Sequence, residues 1–370
     1  MIELVTTYLR RVYSSFLAHV VDIPPRLLAL LLFLLLALLP LYLQDIFILD
    51  VVITASALAI FVASWDLLVG FTGQMSLGHA LFFGLSGYSS ALLFKYFGLP
   101  IWITIPVSLV VSVVVAVVIS FPVSKLKGAY LSMVMLAFPL IASGLLYIFP
   151  EVTGSDSGIR YLPIFFPLDI FKKEGVSGLE AVRQQTIANY WLIFLLMCVS
   201  LLVLYKIVHS KTGIVLVSVL DDQLASKASG INVNRYKTLA FAVSAFFAGL
   251  AGCINTHLYA RADPSLFSLT LSFLPVIVTI MGGIGTIYGP VIGIFIYQIL
   301  DRIVLGKIIE IPSEYQQVRL LVFICIVIFL VIKWPRGIGR FTTDKLMDLE
   351  EARNLDERGP MIWKKYKKKK

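Results

Sequence analysis

The stretch Ser64–Leu92 reads SWDLLVGFTGQMSLGHALFFGLSGYSSAL and lies in the most apolar half of the chain. One apolar run enters it, glycines interrupt the run, and a second apolar run leaves it after the polar residues Gln74, Ser76 and His79. Glycine-broken backbone at membrane depth is tolerated only where it is buried in protein or lines a water-filled cavity. The pattern therefore predicts two membrane helices joined by a polar break, whose three polar side chains either line a translocation path or brace the break.

Composition places the chain among integral membrane proteins. Hydrophobic residues make up 59% and charged residues 14% of its 370 residues, against about 25% charged in soluble domains. A spanning helix needs about 20 mostly apolar residues, so the apolar runs between 27 and 333 leave no room for a sizeable soluble domain. The net charge of +9 is concentrated in 334–370, which indicates a tail beside anionic lipid and not a nucleic-acid site.

The apolar runs predict an all-α integral membrane protein with about ten transmembrane helices. Because basic residues in short connections favour the cytoplasm, we place both termini there. The predicted organisation is a cytoplasmic N-terminal segment 1–26, a transmembrane domain 27–333 and a basic cytoplasmic tail 334–370, with an external loop 150–188 and a cytoplasmic loop 209–236. The predicted spans are 27–43, 46–68, 78–97, 101–123, 129–149, 189–208, 237–258, 266–281, 287–300 and 318–332.

Residues that could catalyse a reaction or bind a driving ion are scarce in these spans. No phosphate-binding GxxxxGK[ST] motif occurs. Ion-coupled carriers usually hold a relay of carboxylates or histidines in the membrane, whereas the few charged residues here lie mostly near the ends of spans. His79 is the one candidate for a proton-binding site, but we favour a neutral imidazole that is hydrogen-bonded within the helix bundle. We therefore predict no catalytic, cofactor-binding or metal-ligating residue, and expect energy for uphill transport to come from another subunit.

The segment 218–237 is the candidate docking site for that subunit. Leu220, Leu224 and Ala228 recur at helical spacing and Gly230 is a good helix terminator, which predicts one short amphipathic helix over 218–230. Such a helix either inserts its apolar edge into a groove of a partner or rests on lipid, and composition favours neither.

Glycines also recur near the predicted ninth span. Gly285, Gly289 and Gly293 are spaced by four residues, which lines small residues along one helix face and lets a neighbouring backbone approach. We interpret them as helix-packing residues and not as ligand-binding residues.

Four sequence blocks together resemble the permeases of branched-chain amino acid ABC importers, of the LivM type in the LivH/LivM family, to which urea-type permeases are related. The blocks are GQMSLGHA at 73–80 followed by FFG at 82–84, GAY to LAF over 128–138, GINV at 230–233 with YK at 236–237, and GGIGTIYGP at 282–290. They extend over nearly the whole membrane portion, and in this order they are fairly specific.

The resemblance implies a ten-helix permease of the cell inner membrane that carries leucine, isoleucine and valine. It implies a second, LivH-like permease, two ATP-binding subunits that use the ATP, and an extracytoplasmic solute-binding protein. Ala225 and Gly230 would lie in the coupling helix that contacts the ATPase, with Leu220, Leu224 and Ala228 around them. Gln223 stands where the family commonly has Glu, and Leu220 where it commonly has Arg. Three alternatives stay open: a urea or amide importer, a self-contained facilitator or channel, and a membrane scaffold.

Overall fold

The computed structural model describes residues 36–42, 45–126, 128–172, 177–308, 316–333 and 337. Over these residues the fold is almost entirely helical, as predicted. The main helices are α1 Ile46–Thr72, α2 Ala80–Phe97, α3 Ile101–Val123, α4 Ala129–Ile148, α5 Gly178–Val208, α6 Lys211–Asp221, α7 Gln223–Ala228, α8 Val233–Leu258, α9 Leu269–Gly282, α10 Tyr288–Gln298 and α11 Gln316–Lys333. A single turn of α-helix, Pro150–Thr153, follows α4. A π-helix, Ile299–Ile308, continues α10. The strands β1, Ile159–Arg160, and β2, Arg261–Ala262, form one antiparallel pair.

Six helices in the described part of the chain are long and apolar enough to cross a membrane. They are Ile46–Thr72, Ile101–Val123, Ala129–Ile148, Gly178–Val208, Val233–Leu258 and Tyr288–Lys307. The predicted segment 1–26 lies outside the described residues, as does 334–370 apart from Gly337, and of the predicted first span only 36–42 is described, as helix.

The core is built around α1. This helix is apolar on all sides, which is typical of a helix surrounded by protein, and from Val51 to Val69 every residue of it is buried. Helix α8 packs against α1, α2 and α3, and the large buried side chains Phe61, Trp65 and Phe241 fill the space between the helices. The break after α1 is therefore positioned by the most buried helix of the bundle.

The predicted span 189–208 belongs to a longer helix, which extends back into the predicted external loop 150–188. Helix α5 begins at Gly178 and not at 189, because Ser177 caps it by accepting a hydrogen bond from the Glu180 amide at 3.3 Å. The Glu180 carboxylate in turn accepts from Arg183 at 2.8 Å. These polar contacts extend the helix beyond its apolar run, where hydropathy carries no signal.

The helix bundle has two ends, which we call the loop end and the break end. The loop end is where α1 begins, and the segment 149–172 lies there because β1 pairs with β2 just after α8. The break end holds the residues 73–79 between α1 and α2, together with α6 and α7, since Leu220 at the end of α6 lies against Gly73.

Candidate functional site

The polar break between α1 and α2 lies where the sequence predicts it. Helix α1 ends at Gly73, whose φ of 69° is left-handed and therefore suits glycine, and α2 begins at Ala80. The indole of Trp65 donates to the Ser76 carbonyl at 2.6 Å, and the Ser132 hydroxyl donates to the Met75 carbonyl at 2.8 Å. Side chains from α1 and α4 thus satisfy backbone carbonyls of the break.

Gly78 allows the break to lie directly on α4. A Cβ added at Gly78 would collide with the backbone carbonyl of Met135. The segment is therefore pressed against the α4 backbone, with no room for a side chain at this position.

The side chain of His79 is held inside the bundle. It is fully buried, and its Nε2 lies 2.9 Å from the Ser64 hydroxyl. Because that hydroxyl donates to the Phe61 carbonyl at 2.7 Å, Nε2 is the donor toward Ser64 in the neutral ring, which leaves Nδ1 as an acceptor. Nδ1 has no hydrogen-bond partner among the described residues. His79 therefore braces the break with one nitrogen and offers the other as an acceptor.

Gln74 and Ser76 are buried with unused hydrogen-bonding capacity. Gln74 is 2% exposed and Ser76 is 0% exposed, and within the described ranges both amide atoms of Gln74 and the Ser76 hydroxyl lack a partner. A buried polar group without a partner costs about 1–3 kcal/mol, so such groups normally hold water or a ligand. The geometry suits these two side chains to a hydrated or solute-accessible position more than to bracing.

The predicted single helix over 218–230 is wrong, because two short helices cover this segment. Asp222 is extended, with φ of −152°, and its carboxylate accepts from the amides of Leu224 at 2.7 Å and Ala225 at 3.1 Å. This N-cap starts α7 and separates it from α6. Gly230 follows α7 with φ of 83°, beyond the helix, in the conformation that favours glycine as a terminator.

Helix α7 presents an apolar surface. Leu224 is 71% exposed, and Ala225, Ala228 and Gly230 are exposed as well. Leu220, at the end of α6, is 40% exposed, and a Cβ on Gly73 would lie 2.9 Å from its Cδ1. The apolar residues that were predicted to lie on one helix are thus divided between α6 and α7. Through Leu220, α6 is in contact with the break.

Buried polar contacts attach α7 to the membrane helices. The Lys237 ammonium on α8 donates to the Gln223 amide oxygen at 3.2 Å and to the Ser124 carbonyl at the end of α3 at 3.3 Å. The Ser226 hydroxyl donates to the Ser218 carbonyl of α6 at 2.9 Å. These hydrogen bonds therefore connect α7 to α3, α6 and α8.

A turn over 283–287 is fastened to α1 by Asp66, a contact that sequence reasoning missed. The Asp66 carboxylate is fully buried, and it accepts from the backbone amides of Gly285 at 2.7 Å and of Thr286 and Ile287 at 3.1 Å each. Successive amides that converge on one anion form a nest. The partners lie about 220 residues from Asp66 in sequence, which leaves no local signal.

The predicted glycine ridge is divided between two elements. Gly289 and Gly293 lie in α10. A Cβ added at Gly289 would lie 2.5 Å from the Gly283 carbonyl oxygen. A Cβ added at Gly293 would collide with the Val278 carbonyl oxygen. Gly285 precedes the helix, in the turn held by Asp66, with φ of 74°. The prediction of one continuous helix face is wrong for Gly285, because α10 begins only at Tyr288.

At the loop end, His257 connects α8 with the segment 149–172, a contact that sequence reasoning also missed. Its Nδ1 donates to the Pro163 carbonyl at 2.8 Å, and its Nε2 lies 2.7 Å from the Ser90 hydroxyl of α2. A histidine within an apolar run was the available signal, but its partners lie 94 and 167 residues away.

Comparison with known proteins assigns the chain to a family. Residues 47–331 match the family described as branched-chain amino acid transport system / permease component. The chain belongs to this permease family. The permease is 26% identical over 293 residues to the high-affinity branched-chain amino acid transport system permease protein LivM of Escherichia coli and to that of Salmonella typhimurium, over 76% of this chain and 67% of each relative.

A shorter part of the permease is similar to a further transport protein. The ribose import permease protein RbsC of Haemophilus influenzae is 35% identical over 102 residues, 26% of this chain and 31% of the relative. No solved structure shows a significant match to the permease. The family match includes the break, the α6–α7 segment and the turn bound by Asp66, so each site described above lies in the part shared with transport permeases.

Proposed function

We propose that the chain is the translocation subunit of an ATP-driven importer of branched-chain amino acids. It would cross the cell inner membrane ten times with both termini in the cytoplasm, so that the break end faces the cytoplasm and the loop end faces outward. This proposal is supported by the family match and by the LivM relatives, whose names describe branched-chain amino acid transport. Lys125, Lys211 and Lys227, in short connections at the break end, favour the orientation.

The observation that carries this proposal is the exposed apolar surface of α7 and its connection to the break through α6. Leu224, Ala225 and Ala228 present apolar side chains to the cytoplasm in the proposed orientation. An ATP-binding subunit that docks here would displace α7, and the contact of Leu220 with Gly73 would carry the displacement to the break. Small sliding of packed helices would then alternate access between the two faces.

The proposal assigns the other steps to partners. Two ATP-binding subunits would hydrolyse ATP, a second, LivH-like permease would complete the transmembrane path, and an extracytoplasmic binding protein would deliver the solute. The permease itself would supply polar groups at the break, where Gln74, Ser76 and the Nδ1 of His79 have capacity for a passing water or solute.

The test is to purify the tagged chain from its native membranes in mild detergent and to identify what remains bound by mass spectrometry. We expect a second permease and ATP-binding subunits. Leu224→Glu should lose the ATP-binding subunits, because it places a charge on the docking surface. Leu179→Glu is the matched control, since Leu179 is 73% exposed, on α5. Equal recovery from both variants would contradict the assignment of α7, and a crosslinked homo-oligomer without other subunits would contradict the importer.

Two alternatives are tested in liposomes. A urea or amide importer of the same family would differ only in solute, so transport by the purified complex is measured for leucine and urea side by side. A self-contained facilitator is favoured by the unpartnered polar atoms of the break, which suit a hydrated pore. It predicts solute flux through liposomes that contain this chain alone, whereas the importer predicts flux only with the ATP-binding subunits and ATP.

A further inference from the structure

At the loop end, charged side chains at the beginning of α1 pair with charged side chains of the π-helix. The Arg302 guanidinium donates to the Asp50 carboxylate at 2.7 Å, and the Lys307 ammonium donates to the Asp45 carboxylate at 3.1 Å. One turn beyond Asp50, the Thr54 hydroxyl lies 2.7 Å from the Tyr259 hydroxyl. Polar contacts therefore continue from the beginning of α1 into the span.

The Asp50–Arg302 pair lies inside the span but is open to the surroundings. Asp50 is the fifth residue of α1, about 6 Å from its beginning at 1.5 Å per residue. Its side chain is 40% exposed and that of Arg302 is 31% exposed, whereas Asp66 and His79 at the other end of α1 are fully buried. A solute that arrives at the loop end would meet this pair before any other charge of α1 within the span.

The surroundings of the pair are unusual for a purely structural contact. Charged residues within spans are costly and mark solute pathways. Arg302 lies in a π-helix, a geometry that is rare and occurs frequently at functional sites. An ion pair as exposed as this one contributes only about 0–1 kcal/mol of stability, so stability alone gives a weak reason for its presence.

We propose that Asp50 and Arg302 form a binding site for a zwitterionic α-amino acid, whose carboxylate pairs with Arg302 and whose ammonium pairs with Asp50. This inference rests on the proposed function, which supplies the class of substrate. A zwitterion replaces the internal ion pair with two new pairs, so neither charge is left alone in a medium of low dielectric constant. A solute with only one of the two charges leaves Asp50 or Arg302 unpaired. The site therefore selects for zwitterions.

The geometry of the two charged groups supports this selection. The Arg302 guanidinium is a planar fork that binds a carboxylate through two parallel hydrogen bonds. The Asp45–Lys307 pair is more exposed, at 43% and 54%, and lies just before α1 begins. The hydrogen bond from Lys307 holds the pKa of Asp45 below its ordinary value, so the Asp45 carboxylate remains charged at neutral pH. The Asp45–Lys307 pair therefore provides a matched control outside the site.

The test measures thermal unfolding of the full-length chain in lipid nanodiscs with millimolar ligand. The probes are L-leucine, 4-methylpentanoate, which lacks the ammonium, and isoamylamine, which lacks the carboxylate. We expect L-leucine at ten times its dissociation constant to raise the Tm by about 3 °C, and the other two to have no effect. Asp50→Asn/Arg302→Gln should abolish the shift, and Asp45→Asn/Lys307→Gln should retain it.

Several results would overturn the inference: no shift with L-leucine, equal shifts with L-leucine and 4-methylpentanoate, or an unchanged shift in the Asp50→Asn/Arg302→Gln variant. If that variant does not reach the membrane, Arg302→Lys keeps the charge without the fork and should weaken L-leucine binding about tenfold; unchanged binding overturns the inference. Leucine uptake by cells that carry the wild-type chain is measured in parallel. Normal uptake without a nanodisc shift rejects this site alone, and absence of chain-dependent uptake rejects the proposed function.

Discussion

The substitution Asp66→Asn tests the most heavily hydrogen-bonded buried charge of the described structure. The carboxylate accepts from the amides of Gly285, Thr286 and Ile287. An asparagine has one acceptor oxygen, so its NH2 group must face at least one of these amides. That amide remains buried without a partner, at a cost of about 1–3 kcal/mol, and the other two hydrogen bonds lose their charge, at about 1 kcal/mol each. The expected loss of stability is about 3–5 kcal/mol.

The assay is thermal unfolding of the purified full-length chain in detergent, followed by intrinsic fluorescence. A loss of this size should lower the Tm by about 10 °C, at roughly 2–4 °C for each kcal/mol. The control is Asp222→Asn, the same chemical change at the cap of α7, where Asn is as good a cap as Asp and little change is expected. A Tm of Asp66→Asn within about 2 °C of the wild-type value would refute the reasoning that Asp66 fastens the turn to α1.

Three further predictions concern the break and the coupling segment. Gly230→Trp should abolish solute uptake but leave the membrane fold intact, because nothing lies within 4 Å of a Cβ at this exposed position and the strain of a non-glycine residue at its φ of 83° costs only about 1–3 kcal/mol, outside the spans; normal uptake would reject its role in coupling. Gly78→Ala should prevent folding or strongly reduce the amount of protein in the membrane, because the methyl group collides with the Met135 carbonyl. Gly144→Ala, where no atom lies within 4 Å, should be neutral or stabilise by about 0.5–1 kcal/mol. Gln74→Met should preserve the Tm, since the amide has no partner among the described residues, and should reduce uptake; unchanged uptake would remove Gln74 from the path.

Several features could be located from the sequence because they depend on interactions between residues that are neighbours along the chain. The break at Gly73 follows from glycine and polar residues within an apolar run, and the exposure of Leu224 from its place in a polar loop. Two local signals were present but were overlooked. Ser177 with Glu180 marks the early start of α5, and Asp222 before Leu224 marks an N-cap that divides the coupling segment.

Contacts between distant residues had no such signal. Asp50 and Arg302 are 252 residues apart and His257 and Ser90 are 167 apart. The sequence shows each as a polar residue within or beside an apolar run, which predicts that it needs a partner but not which partner. Likewise, because α1 is apolar on all sides, its sequence does not show which helix packs against which of its faces.

The sequence by itself determined that this is a helical membrane protein, where its helices break, and to which permease family it is similar, since each depends on composition or on residues adjacent along the chain. Tertiary structure decided that Asp66 binds the turn over 283–287, that α6 touches the break, and that Asp50 meets Arg302. Those contacts depend on how helices pack in three dimensions, and packing is set by the fit of whole surfaces, which no window of sequence contains.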